Sequence, residues 1–326
     1  MAAVQGTVTV PLTVGAREDL ANTITLISPD ETPLFSAARK TKAKAINHEW
    51  QTDDLSPSTI NSFPEGGTVT VSTAAATTRI GNILQISEKD YGVSGTLQNV
   101  DLAGRSDELI RLRMKKGLEL RRDMEVVLHA NQAKSSSGTR TLGGLPSFIT
   151  NGTGVSSAVS AMPTTGDGSS AVAAFTGSTA MTYEQLASAH QMAYEDGGRP
   201  NMLEVPPALK RKFSGLALAT APSTAPLRQD AGGTSPATAN GAVDKWLSDF
   251  GLVDVVVNRQ LAIQASTFLK QAAFLIDTEH VSVATLRGFE VNKLAKTGDA
   301  TSEFIVSEYT LAPDAPSAHA AVYGIT

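Results

Sequence analysis

The stretch "TKAKAINHEWQTDDLSPSTINSFPEGGTVTVSTAAATTRIGNILQIS", residues 41–87, constrains what this chain can fold into more than any other. Its middle is built of Ser, Thr, Ala, Gly and Pro, with too few large apolar side chains to offset the entropy of ordering its own backbone. Its ends differ, because Ala45 to Trp50 and Arg79 to Ser87 carry β-branched and aromatic residues suited to a pleated pair. The pattern predicts a long, exposed β-arm. Such an arm leaves strand edges unpaired, which a monomer normally shortens or covers, so the segment points to a neighbouring subunit.

The rest of the chain can supply a folded body. Its 326 residues are 41% hydrophobic and 18% charged, a globular balance with enough length for one large domain or two ordinary ones. With no cysteine, disulfides, cysteine-ligated metal sites and thiol redox chemistry are excluded. The first twenty residues lack a basic start followed by an apolar run, and no stretch approaches eighteen apolar residues, so a soluble product is expected. A net charge of −5 does not mark the whole chain as a binder of nucleic acid or of anionic membrane.

Residues 1–40 are mostly small and polar and read as an extended arm anchored by Leu34 and Phe35. The strongest helical signal starts at residue 105, with Ser106 as N-cap and Asp107 and Glu108 placed against the positive end of the helix dipole. At 100° per residue Ile110, Met114, Leu118, Met124 and Leu128 share one broad face, with Leu109, Leu120 and Val127 on its shoulder, and that face is expected to be buried. A helix of roughly 25 residues spans about 38 Å, enough to cross a domain. Gly117 falls in the same arc and is read as a close-packing contact. Between 105 and 125 there are seven bases and five acids, which at helical spacing read as a solvated, ion-paired face before a nucleic-acid surface.

Residues 135–180 read mostly as loop, and the G-x-G at 152 and 154 lacks the third glycine and the preceding strand of a phosphate loop. Beyond them come a helix closed by Gly197 and Gly198, a strand near Met202 to Val205, a helix opened by prolines, and apolar runs ending in "SEFIVSEYTLA" and "HAAVYGI". These predict a mixed sheet, with no repeat period. The search for chemistry returns little. The histidines at 48, 129, 190, 280 and 319 show no metal-ligand spacing, and His48 with Glu49 reads as a pair of polar strand residues. Asp53 with Asp54, and Asp277 with Glu279, read as solvated surface acids, and neither a nucleophile elbow nor a Walker loop is present. No catalytic, cofactor or metal site is expected, and the chain does not read as an enzyme.

The order of parts, together with particular segments, resembles the Hong Kong 97 type fold of tailed-phage major capsid proteins. The likeness rests on "SPDETPLFSAARKTKAKAINHEWQTDDL", "ATTRIGNILQISEKDYGVSGT", "AGRSDEL" and "RTLGGLPSFI". Later blocks add "DGGRPNMLEVPPALKRKFSG", "DFGLVDVVVNR" and "TEHVSVATLRGFEVNKLAKTGDATSEFIVSEYTL". The resemblance implies an α+β fold with an N-terminal arm at 1–40, an extended β-loop at 41–95 and a peripheral domain at 96–178 and 296–326. That domain would contain a spine helix at 105–133, and an axial domain would occupy 179–295, with the small residues of 220–241 packed near symmetry axes.

It further implies self-assembly into the pentamers and hexamers of an icosahedral shell around double-stranded DNA, held without sequence-specific contacts and without a membrane, after assembly in the bacterial cytoplasm. Phe35, His48 and Trp50 at the loop base and Glu65, Gly66 and Gly67 near its tip are the candidate intersubunit residues. Some relatives cross-link through a loop lysine, but none occurs here between Lys44 and Lys89, so buried area, strand pairing, ion pairs or a cementing protein are expected to hold the shell. The short run before the arm points to a separate scaffold protein, and a portal is a further expected partner. A decoration protein or an adhesin would also be cysteine-free and β-rich but would not need the spine helix; a soluble α/β enzyme would need a convergent polar site.

Overall fold

The structure is a computed structural model that describes residues 28–71, 73, 76–100, 102, 107–156, 162–175, 177–219, 243–263, 267–296 and 298–326. Most of the expected N-terminal arm, the Ser106 cap and the small-residue run at 220–241 lie outside the described residues. In chain order come α1 (Pro33–Ala37), β1 (Arg39–Lys42), β2 (Asn47–Thr52), β3 (Thr78–Ile83), β4 (Gln85–Ser94), α2 (Gly95–Asn99) and α3 (Glu108–Leu128). They are followed by β5 (Asn151–Gly154), α4 (Tyr183–Glu195), β6 (Met202–Val205), α5 (Pro207–Ala219), β7 (Lys245–Ser248) and β8 (Gly251–Val257). The last part holds α6 (Arg259–Ile263), α7 (Thr267–Lys270), β9 (Ala272–Ile276), β10 (Val281–Lys293), β11 (Ala300–Pro313) and β12 (Ala320–Tyr323).

The strands form a four-stranded sheet in the order β1-β10-β11-β4, a six-stranded sheet in the order β5-β12-β9-β6-β8-β7, and the separate hairpin β2-β3. The long antiparallel pair β10-β11 is the backbone of the first sheet, with β1 added in parallel at one edge and β4 antiparallel at the other. Helix α4 ends on Gly197 at φ +89°, and Gly198 N–H returns to Ala193 O, a left-handed stop that the two glycines permit. The G-x-G at 152 and 154 lies in β5, paired with β12.

One core joins the two sheets. Leu34, Met124, Leu128, Leu142, Leu145, Phe274, Tyr309, Leu311 and Tyr323 pack together, so β11 and β9 are buried against the same helix end. A second core under α4 and α5 gathers Leu186, Leu203, Phe213, Trp246, Val253 and Val322 on the opposite face of the six-stranded sheet. Sheet membership cuts across the predicted division of the chain. Strand β12, read as peripheral, completes the six-stranded sheet, while β10, read as axial, belongs to the four-stranded one.

The spine helix differs from expectation in three ways. It is capped by Asp107, whose carboxylate accepts from the N–H groups of Leu109 at 2.8 Å and Ile110 at 3.1 Å, and it ends at Leu128 instead of 133. Its buried side chains are Glu108, Leu120, Met124, Glu125 and Leu128, whereas Ile110, Met114 and Leu118 are exposed. The expected single face is therefore two. Leu109, Leu112 and Leu120 turn toward Tyr91 and Ile305 of the four-stranded sheet, and the Ile110–Met114–Leu118 stripe faces away. Finally, nothing lies within 4 Å of a side chain added at Gly117, so no close approach occurs there.

Polar contacts hold the helix on its sheet. Buried Glu303 of β11 accepts from Arg113 at 2.7 Å and from the Tyr91 hydroxyl at 2.7 Å, and Lys89 of β4 pairs with Asp123 at 2.6 Å. The expected consequence is a sharp asymmetry in the unassembled chain: Leu120→Ala costs about 2–5 kcal/mol, as for other buried leucines, while Met114→Ala stays within about 0.5 kcal/mol. Urea unfolding of the two variants checks this, and equal costs would contradict the assigned faces.

Candidate assembly interface

Two places gather side chains that are more than packing: the long loop, and a polar junction beneath the N-terminal segment. The loop leaves the body through β2 and β3, paired antiparallel from Asn47 with Ile83 to Thr52 with Thr78. Its base is fixed from inside. Buried Asn82 donates to Gly143 O at 3.0 Å and Leu311 O at 2.8 Å and accepts from Gly143 N at 2.8 Å, while Lys134 Nζ donates to Gly81 O at 2.6 Å. On β2 the ring of Trp50 lies 6.1 Å from His48 and 6.2 Å from Phe148 of the body.

Past the paired strands the described loop residues 53–71 are solvent-facing, with only Gly67 half-covered. Leu55 and Ile60 are fully exposed, and Phe63, Val69 and Val71 are largely so. Five uncovered apolar side chains on one loop are a cost that solvent does not repay. The loop also carries Asp53, Asp54 and Glu65 and no base. Its outer bend is a tight turn in which Gly67 N–H donates to Pro64 O at 3.1 Å and Gly66 sits at φ +77°, the conformation that calls for glycine at the third position.

The candidate residues thus fall into three separate places. His48 and Trp50 are the hairpin's anchor on its own body, half-buried against Phe148. Glu65, Gly66 and Gly67 make the loop's bend. Phe35 lies elsewhere, in α1, a short helix where extended chain was expected, with Lys40 Nζ 3.6 Å from the ring centroid and the Arg121 guanidinium 5.5 Å from it.

The junction below Phe35 escapes the sequence reading. Glu125 of α3, fully buried, accepts from Leu34 N at 3.0 Å and Phe35 N at 2.8 Å at the start of α1, and from the Asn258 amide at 2.8 Å. Asn258 also donates to Glu204 of β6, whose other oxygen lies 2.9 Å from His129 Nε2. His129 Nδ1 is 2.9 Å from the backbone oxygen of Glu125. Nδ1 faces a backbone carbonyl and so donates, and opposite an ionised Glu204 Nε2 donates as well, the pattern of an imidazolium. Glu125, His129 and Glu204 bring ligand-type atoms within 4.8 Å of one another, and the Asn258 amide donates into both carboxylates, so one oxygen of each is already committed to a hydrogen bond. The available signal was the i, i+4 spacing of Glu125 and His129, together with a charged Glu204 inside the apolar strand "MLEV".

Burial, and after it the charge of Glu204, pushes the Glu125 carboxyl up to about 7. Burial alone lowers the imidazole of His129, but the charge and hydrogen bond of Glu204 outweigh it and raise the group to about 9. Both groups hold protons more tightly folded than unfolded, so the stability they contribute is present at low pH and is lost as pH rises, first through 7 and then through 9. The unfolding temperature of the unassembled chain should therefore fall across this window, and His129→Gln should flatten the upper part of the slope. A temperature that is constant or rising over the window would contradict the junction's assigned charges.

Comparison with solved structures places this arrangement. The chain is similar over 98% of its length to 96% of a chain from Gordonia phage Cozz, at a TM-score of 0.59 and 12% identity. It matches the capsid of a native GTA particle over 99% of this chain and all of that one, at 0.65 and 13%. At such identities the likeness is one of fold, and the fold is the Hong Kong 97-like one of phage major capsid proteins. A long loop, a spine helix and two linked sheets in this order make up that fold. The chain belongs to the SU10 major capsid protein family, whose model matches residues 4–326. That family is one of structural capsid proteins and not of enzymes. A curated relative, the major capsid protein of Escherichia phage Phieco32, is 34% identical over 122 residues, which span 37% of this chain and 35% of that protein.

Proposed function

We propose that copies of this chain close into the icosahedral shell of a tailed phage, as pentamers and hexamers, with the loop of each copy lying over its neighbour. The observation that carries this reading is the loop itself, whose five apolar side chains are uncovered by the chain's own body. A neighbouring subunit would remove them from water and supply the order that the segment's composition does not. Glu65, Gly66 and Gly67 are the proposed contact at the bend. His48 and Trp50 set the direction in which the hairpin leaves the body, and Phe35 joins the N-terminal segment to the spine.

The peripheral part is proposed as 96–178 with 296–326, and the axial part as 179–295. Sheet membership supports three exceptions to these bounds, with β10 going to the peripheral part and β5 and β12 to the axial part. Double-stranded DNA would be enclosed without sequence-specific contacts, and portal, scaffold and cement are roles for other chains assembled with this one in the host cytoplasm.

Electron microscopy of the chain, expressed alone and with its neighbouring genes, tests the reading. Closed shells, or rings of five and six, are the expected outcome, and deletion of residues 55–77 should abolish them while leaving a folded chain. Monomers alone under both conditions would refute self-assembly, and intact shells from the deletion variant would refute the loop's role.

A further inference from the structure

One face of the spine helix is covered along only half its length. Near the helix end, Glu125 and Arg121 hold α1 on that face, Glu125 through the N–H groups of Leu34 and Phe35 and Arg121 through Ser36 Oγ at 2.8 Å. Toward the helix start, at intervals of three and then four residues, the same face presents Leu118, Met114 and Ile110. Positions 110, 114, 118, 121 and 125 thus form one row, and its cover stops in the middle. Among the described residues Leu118 is left 38% exposed, Met114 70% and Ile110 51%. Three large apolar side chains in line on one helix are a contact surface without its second layer.

The segment that covers the first half of the row is the one placed to cover the rest. Helix α1 belongs to the N-terminal segment, whose described part begins at residue 28. There Gln260 Nε2 donates to Pro29 O at 3.2 Å, and Gln260 shares a groove with Arg122 of the spine, one turn from Leu118. From Arg122 to Ile110 the helix rises about 18 Å, whereas the chain from residue 28 back to residue 14 can reach about 46 Å when extended. Composition fits as well as reach. Residues 1–16 carry no charged side chain, and Val4, Val8, Val10, Leu12 and Val14 all fall on even positions, the spacing that sets apolar groups on one side of an extended chain. Beside the row, Arg111 is paired with Glu108 and Lys116 with Glu119, so the charges there are matched within the helix and favour an uncharged partner over a polyanion.

We propose that the apolar side of residues 4–14 packs on Ile110, Met114 and Leu118 of the same copy, extending along the spine the cover that α1 begins. The contact belongs to the single chain and stands whether or not copies assemble. A single thickness of chain covers such a row in part and undocks before the body unfolds, so truncating Met114 stays cheap in the global equilibrium.

The test places the photo-cross-linker p-benzoylphenylalanine at Met114 of the full, unassembled chain, prepared as a mixture of unlabelled and ¹⁵N-labelled copies, and identifies the linked peptides by mass spectrometry. Links to residues 1–27 within one copy, with no mixed-label pairs, are expected. Links between copies, links to another part of the chain, or none would each overturn the proposal. Oxidation of Met114 by hydrogen peroxide gives an independent readout. The double variant Val10→Asp, Leu12→Asp should speed it several-fold and leave the buried Met124 as slow as before. Equal Met114 rates in the parental and variant chains would overturn the docking of this segment.

Discussion

A buried carboxylate with three donors aimed at it holds the parts of this molecule together. Glu125 sits near the end of the spine helix and takes the first N–H groups of α1 on one side and the Asn258 amide on the other. Through Asn258 and His129 it is tied to Glu204 in the six-stranded sheet. A polar group stays in a dry interior at tolerable cost only when its hydrogen bonds are complete, so none of these elements can shift without leaving a donor or an acceptor unpaired. The N-terminal segment, the spine and the sheet are thereby fixed in one geometry. Apolar packing of Leu34, Met124, Leu128 and Phe274 around the junction supplies bulk burial, but packing alone specifies position less tightly than a closed polar network does.

That division of labour explains what was legible in the sequence. The loop and its two paired ends could be read because composition and β-propensity speak about local structure, and the pairing of β2 with β3 follows from both. The spine helix could be read as an element but not in its facing. Averaging apolar positions over the whole helix merges Ile110, Met114 and Leu118, which face away from the sheet, with Met124 and Leu128, which face the core. A helix served by two different layers along its length has no single moment to find. Strand β12 was recognisable as a strand, but its sheet was not, because pairing with β9 and β5 is a matter of topology and not of local preference. The Glu125–His129–Glu204 junction draws on positions up to 79 residues apart, so only the i, i+4 pair within the helix left a trace.

The same structure separates what must be firm from what must be reversible. Inside the chain, buried Glu125 accepts from three donors, and buried Glu303 is held by Arg113 and Tyr91. The surface proposed for neighbours is of another kind: five apolar side chains on the loop, with three acids and no base among them. Removing an intramolecular charge partner is costly, whereas apolar contacts can form, slip and separate without stranding a charge.

Magnitudes show why that arrangement suits a shell. Fully covering one large apolar side chain is worth about 1.5–3 kcal/mol. Association of two proteins costs on the order of 4–15 kcal/mol in lost motion, which a contact of that size does not offset. The loop's five apolar side chains, at comparable value, must therefore act together, and no one of these contacts needs to be strong. With no cysteine and no lysine between Lys44 and Lys89, covalent reinforcement of the kind that some relatives of this fold place on the loop has no group to start from. Without such a link, closure itself becomes a source of stability for the particle. A copy held by neighbours on several sides leaves only if several weak contacts break together, while one misplaced during growth is held by fewer and departs. Weak apolar surfaces around a rigid, charge-locked body are the combination that lets errors dissolve and the finished shell persist.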